Sequence, residues 1–316
     1  MGSKYLIISP CRNEEQYMKK TLDTVCHQTI LPEKWVIVDD GSTDDTANIL
    51  KNYSEKYSFI EILTREDRGH RKVGPGVIEA FYDGMKRENI DDYDYICKLD
   101  LDLELPPKYF EILIDKMEGN SRIGTASGKP YFIDNKTGKH ISELCGDENS
   151  VGMTKFYKVK CFKQVGGFVK QVMWDGIDGH RCRMLGWLAI SYDEPDLRFI
   201  HLRPMGSSQV SIFTGRMRHG FGQYFMGSSF LYLTASAIYR SLHRPIFIGG
   251  FAMWWGYVRS ALSGKERLND PAFRIFLRKY QWACLMKGKS RATDEINSLQ
   301  KSSWDPEKPG YSFPDF

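Results

Sequence analysis

Twice within its first 105 residues the chain runs a short apolar segment straight into clustered acids: Trp35-Val-Ile-Val-Asp-Asp-Gly-Ser-Thr-Asp44 and Tyr95-Ile-Cys-Lys-Leu-Asp-Leu-Asp-Leu-Glu-Leu105. A near-continuous apolar run of that length reads as a strand buried on both faces, as in parallel sheets. Acids and small polar residues at the C-terminal end of such strands mark the edge where ligands bind in open α/β sheets. The pattern constrains the fold to α/β and places Asp100 and Asp102 at a candidate metal site on one sheet edge.

Alternating apolar runs and amphipathic segments continue through residue 130, as βαβ units require. The spacing predicts strands near Tyr5 to Ser9, Trp35 to Val38, Ile60 to Leu63, Tyr95 to Lys98 and Thr125 to Tyr131. Helices are predicted over Glu14 to Gln28, Asp44 to Tyr57, Val77 to Glu88 and Lys108 to Glu118, with Ser42 or Thr43 as a helix cap. A polar stretch from Asp134 to Gly152 reads as a long loop. After it come a helix near Tyr157 to Val165, a turn at Gly166-Gly167-Phe168, a short helix ending at Gly186 and a strand near Leu188 to Tyr192. Helical periodicity then covers Phe221 to Tyr239, Ile246 to Leu262, Ala272 to Lys287 and Ala292 to Leu299, and the tail from Trp304 reads as irregular.

With 316 residues, 41% hydrophobic and 27% charged, the chain suits one large domain or two small ones. Seven scattered cysteines, with no C-x-x-C pair, argue against disulfides and zinc and fit a reducing cytoplasm. No secretory signal is read at the N-terminus. Charge is uneven: residues 1–200 hold 28 Lys+Arg against 33 Asp+Glu, and residues 201–316 hold 16 against 7. The basic, aromatic-rich tail suggests a phosphate-bearing partner or a membrane surface, or else a solvated helical face. Nucleic acid is not an expected partner. The best apolar run, Phe230 to Tyr239, is too short to span a bilayer, so the chain is expected to lie on a membrane at most.

In order and spacing, Ile8-Ser-Pro-Cys-Arg-Asn-Glu-Glu15, Gln28, Val36-Ile-Val-Asp-Asp-Gly-Ser-Thr-Asp44, Lys98-Leu-Asp-Leu-Asp102, Val165-Gly-Gly-Phe168 and Trp174 to Trp187 resemble a family. The chain looks like a family 2 glycosyltransferase of the nucleotide-diphospho-sugar transferase (GT-A) fold, of the bacterial polysaccharide-assembly type. The resemblance implies a Rossmann-like, mostly parallel sheet over residues 1–205, with nucleotide-sugar binding in 1–130 and the acceptor and base region in 150–205. Residues 206–316 would form a helical C-terminal extension.

The chemistry fits that resemblance. Releasing a nucleoside diphosphate favours a hard divalent cation, Mn²⁺ or Mg²⁺, held by carboxylate oxygen. Strand alternation puts Asp100 and Asp102 on one side of an extended segment. One can then touch the metal while the other reaches the ribose or a metal-bound water. Family likeness makes Asp102 the direct ligand, whereas taken alone the pair reads by default as two solvated acids in a turn after an edge strand. The resemblance also implies that Asp39 or Asp40 hydrogen-bonds the nucleobase, with the backbone at Ser9 and Pro10 flanking the ring. Glu14 joins this donor set or simply sits in a first helical turn. Arg71 and Lys72, in a basic loop before a helix, are candidates for the diphosphate.

An inverting transfer needs a base for the acceptor hydroxyl. Family members place Glu-Asp before a helix carrying Arg and ending in Gly plus an aromatic. Here Trp174 stands where the Glu would be, so Asp175 is favoured as the base over Asp178, whose other role is a helix cap. His201 occupies the position of a third metal ligand, and Arg203, Arg216, Arg218 and His219 are candidate phosphate or acceptor contacts. UDP-sugar is the expected donor and a glycan or lipid-linked oligosaccharide the expected acceptor. The alternatives are a polyprenyl-phosphate sugar transferase and a catalytically idle nucleotide-sugar-binding subunit, which the missing acid at Trp174 keeps open. Oligomeric state is not legible.

Overall fold

The computed structural model describes residues 2–69, 74–134, 136–143, 145–203, 212–242 and 247–314. In chain order its elements are β1 (Tyr5–Cys11), α1 (Met18–Cys26), β2 (Lys34–Asp39), α2 (Thr46–Lys56), β3 (Ile60–Thr64), α3 (Pro75–Met85), β4 (Tyr95–Leu99), β5 (Leu103–Glu104), α4 (Tyr109–Gly119), β6 (Ile123–Gly128), β7 (Pro130–Ile133) and β8 (His140–Ser142). They continue with β9 (Thr154–Lys158), α5 (Val159–Gln164), α6 (Trp174–Met184), β10 (Leu188–Tyr192), β11 (Phe199–His201), α7 (Ile212–Met226), α8 (Phe230–Ser241), α9 (Ile248–Leu262), α10 (Pro271–Lys287) and α11 (Lys289–Leu299).

The principal sheet has the order β10-β6-β9-β4-β1-β2-β3. Its strands pair in parallel except β9, which runs antiparallel between β4 and β6. The central strands are apolar on both faces because helices cover both: Tyr5 through Ile8 and Trp35 through Val38 are fully buried. Tyr5 packs on Phe110 with ring centroids 4.9 Å apart, and Tyr95 stacks on Phe156 at 5.0 Å. A second, four-stranded sheet has the order β5-β11-β7-β8.

Several elements differ from expectation. The segment Thr125 to Tyr131 is two strands, β6 and β7, in different sheets. The expected helix from Tyr157 is preceded by β9, whose Phe156 and Tyr157 are fully buried in the principal sheet, and helix begins only at Val159. The polar stretch contains β8. The helix expected over Phe221 to Tyr239 is two helices, because Gly227 with φ +81° ends α7.

Contacts group the chain into two units: Met1–Lys170 with Trp187–Pro204 and Asp305–Phe316, and Gln171–Gly186 with Met205–Trp304. The division is not a single cut at residue 205, since the segment carrying Asp175 and Asp178 belongs to the second unit. The irregular tail is tied to the first unit: Gln164 Nε2 donates to the carbonyls of Asp305 (2.9 Å) and Lys308 (2.6 Å), and Tyr311 N–H donates back to Gln164 (2.8 Å).

Candidate active site

At the C-terminal ends of β1 and β2 the two loops are laced together. Asn13 takes φ +55°, which its short polar side chain tolerates. Its Oδ1 accepts from Thr43 N–H at 2.8 Å, and Ser42 Oγ accepts from Asn13 N–H at 3.0 Å. The start of α2 is held by Asp44, whose Oδ1 accepts from Thr46 N–H at 3.1 Å, in place of the expected cap at Ser42 or Thr43. Ser9 is buried, its Oγ accepting from Trp35 Nε1 at 2.9 Å, and Pro10 aligns with Val38 in the sheet register. Gly41 is required on two counts: its φ is +72°, and a Cβ there would fall 2.5 Å from Asp67 Cα.

Asp39 Oδ1 accepts from Ser42 N–H at 2.9 Å, so this acid shapes the turn. The Asp40 carboxylate lies between two guanidinium groups, with Arg65 Nη1 at 2.6 Å from Oδ1 and Arg68 Nη2 bonded to Oδ2. Both arginines continue to α3, Arg65 to Asp83 and Arg68 to Glu79, each at 3.0 Å. Arg12 completes the cluster, donating to the Asp40 carbonyl and, at 2.6 Å, to Asp67. These arginines come from the basic loop and the β1 end, but were not the ones singled out from the sequence. Arg71 and Lys72 lie outside the described residues.

After β4 the chain turns, and β5 pairs antiparallel with β11 so that His201 faces Leu103 in register. Leu202 N–H donates to the Asp102 carbonyl at 2.8 Å, fixing that register one residue further. This non-local pairing brings Asp102 and His201 together: Nε2 stands 3.6 Å from Asp102 Oδ2. The other ring nitrogen, Nδ1, lies 3.0 Å from both oxygens of Glu143, just past β8. Sequence reading missed Glu143. Arg203 Nε is 3.5 Å from Asp102 Oδ2, its Nη2 pairs with Glu14, and its guanidinium lies 5.0 Å over the Tyr17 ring. Glu14 is thereby joined to the Asp102 cluster. Asp100 points elsewhere, onto Lys98 Nζ, which also donates to the Gly152 carbonyl at 3.1 Å.

The electrostatics separate the two acids. Burial pushes the Asp100 carboxyl up, and the Lys98 charge offsets only part of this. Burial also opposes ionisation of Asp102, but the hydrogen bond and charge of His201 and the charge of Arg203 outweigh it and hold that carboxyl below its usual value. His201 is opposed by burial and lifted by Asp102 and Glu143 to about 9.

Asp102 Oδ1 is buried without a hydrogen-bond partner in the structure. An acceptor in that state costs free energy unless something meets it. Among the described residues no three His, Cys, Asp or Glu side chains form a ready metal cage. Two protein donors of oxygen and nitrogen type nonetheless suit a cation that takes its remaining ligands from diphosphate and water, as Mg²⁺ commonly does. His201 already has the outer carboxylate partner that orients metal-binding imidazoles.

In the second unit, α6 begins at Trp174, directly after Met173 with φ +66°. Asp175 lies in its first turn, partly exposed at the positive end of the helix dipole. Asp178 is 1% exposed, and its Oδ1 accepts from Gly179 N–H at 2.6 Å. It stands one turn inside the helix, so it is not the cap of a helix starting at His180. On α7, Arg216, Arg218 and His219 are all partly buried. Burial, then Arg240 and Arg216, push His219 down to about 3, so the imidazole is neutral and offers a phosphate no charge.

A mostly parallel seven-stranded sheet, with acids after β2 and an Asp-x-Asp after β4, defines the GT-A class of nucleotide-diphospho-sugar transferase folds. Residues 6–171 match glycosyl transferase family 2, and the chain belongs to that family. It is similar to the poly-β-1,6-N-acetyl-D-glucosamine synthase of Staphylococcus epidermidis, with 24% identity over 174 residues, 49% of this chain and 40% of that protein. The chain thus spans less than half the length of this relative. The mannosyltransferase PcManGT of Pyrobaculum calidifontis, solved with GDP-Man and Mn²⁺, superposes with a TM-score of 0.51 at 14% identity, over 96% of this chain and 88% of that one. S. aureus TarS 1-349 with UDP-GlcNAc gives 0.50 at 13% identity, over 95% and 91%. At such identities the likeness is one of fold.

Proposed function

We propose that this chain is an inverting, divalent-metal-dependent glycosyltransferase. It moves a sugar from a nucleotide-sugar, with UDP-sugar the favoured donor, to a hydroxyl of a glycan or lipid-linked acceptor in polysaccharide or glycolipid assembly. The observation that carries this reading is the orphaned Asp102 Oδ1 beside a His201 whose far nitrogen is anchored by Glu143. The synthase named among the relatives supports a polysaccharide setting, and seven scattered cysteines with no C-x-x-C pair suit a cytoplasmic one.

Asp102 and His201 would hold the cation, which when bound neutralises the departing diphosphate. Asp39 and Asp40 border the nucleobase site, and there Arg65 and Arg68 hold the Asp40 carboxylate in place. Arg203, steadied by Glu14 and Tyr17, supplies a positive charge next to Asp102. Asp175 takes the acceptor hydroxyl proton as the new bond forms at the anomeric carbon and the nucleotide leaves with the old bonding pair. Its partial exposure favours it over the buried Asp178, since a base must be reachable.

The test is nucleotide release from UDP-sugars in the presence of a candidate acceptor, before and after stripping metal with a chelator. Turnover is expected to vanish on stripping and to return with Mn²⁺; undiminished turnover in chelator would refute metal dependence. A finer expectation concerns Glu143. Glu143→Ala should weaken Mn²⁺ binding, followed by the ion's paramagnetic resonance, by roughly 10–100-fold. Glu143→Gln keeps an acceptor for Nδ1–H and should lose much less; equal losses in the two variants would count against an orienting hydrogen bond.

A further inference from the structure

Of the 19 large apolar side chains that stand exposed among the described residues, 16 belong to the second unit and ten lie between Phe230 and Leu262. Soluble surfaces rarely gather so many in one place without a use for them. Helix α9 turns large apolar side chains to the outside, where an ordinary surface helix is polar. Its packed side carries Gly249, Gly250, Ala252, Gly256 and Ser260 beside Met253 and Tyr257, whereas Ile248, Phe251, Trp255 and Leu262 face outward. Small residues let it approach its neighbours backbone to backbone. A Cβ on Gly256 would lie 2.2 Å from the Met217 carbonyl of α7, and one on Gly250 would lie 2.1 Å from the Ala237 carbonyl of α8. Small residues at the helix crossing with large apolar ones turned outward is how helices pack when lipid is the solvent.

With 15 residues, however, α9 is short of the roughly 20 that crossing requires, and no helix among the described residues is long and apolar enough to cross a membrane. A helix of this kind lies along the interface, where Trp and Tyr are favoured. Charge selects the occupant. Residues 205–265 contain six Lys or Arg and no acid, and the second unit as a whole has 16 Lys+Arg against 6 Asp+Glu, a net of +10. Arg259 is exposed four residues beyond Trp255 and three before Leu262, on the same stripe of α9. Two copies meeting through this face would bring like charges together, whereas anionic lipid would be attracted to it.

We propose that the α8–α9 face of the second unit docks on the anionic leaflet of a lipid bilayer, seating Phe251 and Trp255 at the headgroup boundary with Arg259 against lipid phosphates. The docking does not rest on the transfer reading, because it is measured without donor or acceptor.

The full chain would be floated with vesicles of phosphatidylcholine alone and of phosphatidylcholine with phosphatidylglycerol. Binding is expected to the anionic vesicles, weakening as salt rises. Phe251→Gln with Trp255→Gln should reduce partitioning roughly tenfold or more, and Arg259→Gln roughly fivefold. Ile248→Gln with Leu262→Gln repeats the test at the two ends of the helix. All of these side chains are exposed, so near-UV circular dichroism and turnover on a soluble acceptor should be unchanged. The proposal is overturned if the native chain does not float with anionic vesicles, or if the glutamine variants float as well as it does. It is equally overturned by a stable dimer that the same substitutions dissociate, which would assign the face to a second copy.

Discussion

Replacing Asp102 with alanine is expected to lower turnover by at least about 10³-fold, the loss that follows removal of a main electrostatic element opposite developing charge. The size follows from position. Asp102 contacts His201 and Arg203 through one oxygen and keeps the other buried without a partner. Asp100, the other acid of the Asp-x-Asp pair, does not stand in for it, because it is committed to Lys98. The fold should survive the change: Arg203 retains Glu14, His201 retains Glu143, and the β5–β11 register is set by backbone bonds. Asp102→Asn preserves shape and removes charge, so its activity should fall nearly as far. If Asp102 and His201 hold one ion, as proposed, the double alanine variant should be scarcely worse than Asp102→Ala alone. An Asp102→Ala protein that turns over at the native rate would remove the assignment.

Asp175→Asn is expected to lower kcat by about 10²–10⁴-fold, the usual contribution of a positioned base, while nucleotide binding stays as in the native chain. Asp178→Asn should behave differently. Asp178 is buried in the body of α6 with a backbone N–H on its carboxylate, so its loss should appear first in thermal stability. Steady-state kinetics and melting curves on the two variants separate the roles. Inactivity of a well-folded Asp178→Asn beside an active Asp175→Asn would exchange them, and unchanged turnover in both would place the base elsewhere.

The central strands were legible because both faces of each are buried, so β1, β2 and β4 appear as largely apolar runs, and those of β2 and β4 lead into clustered acids. Strand β9 was not: Thr154-Lys-Phe-Tyr-Lys158 leads straight into a helix, and only its antiparallel partners β4 and β6 make it a strand. Glu143 lies in a polar stretch that reads as loop, and its meeting with His201 depends on the four-stranded sheet, which brings together residues 58 positions apart. The Lys98–Asp100 pair did carry a local signal, since residues two apart on an extended segment share a side. The arginines on Asp40 belong to the basic loop noticed in the sequence, but charge alone did not say which of its members turn inward.

Whether Asp102 anchors a metal-dependent nucleotide-sugar site is decided by calorimetric binding of UDP and of GDP, each with and without Mn²⁺ and repeated on Asp102→Ala. One nucleotide, UDP, is expected to bind only with Mn²⁺, and this binding is expected to be lost in the variant. Binding indifferent to Mn²⁺, or undiminished in Asp102→Ala, or absent for both nucleotides, would contradict that role for Asp102.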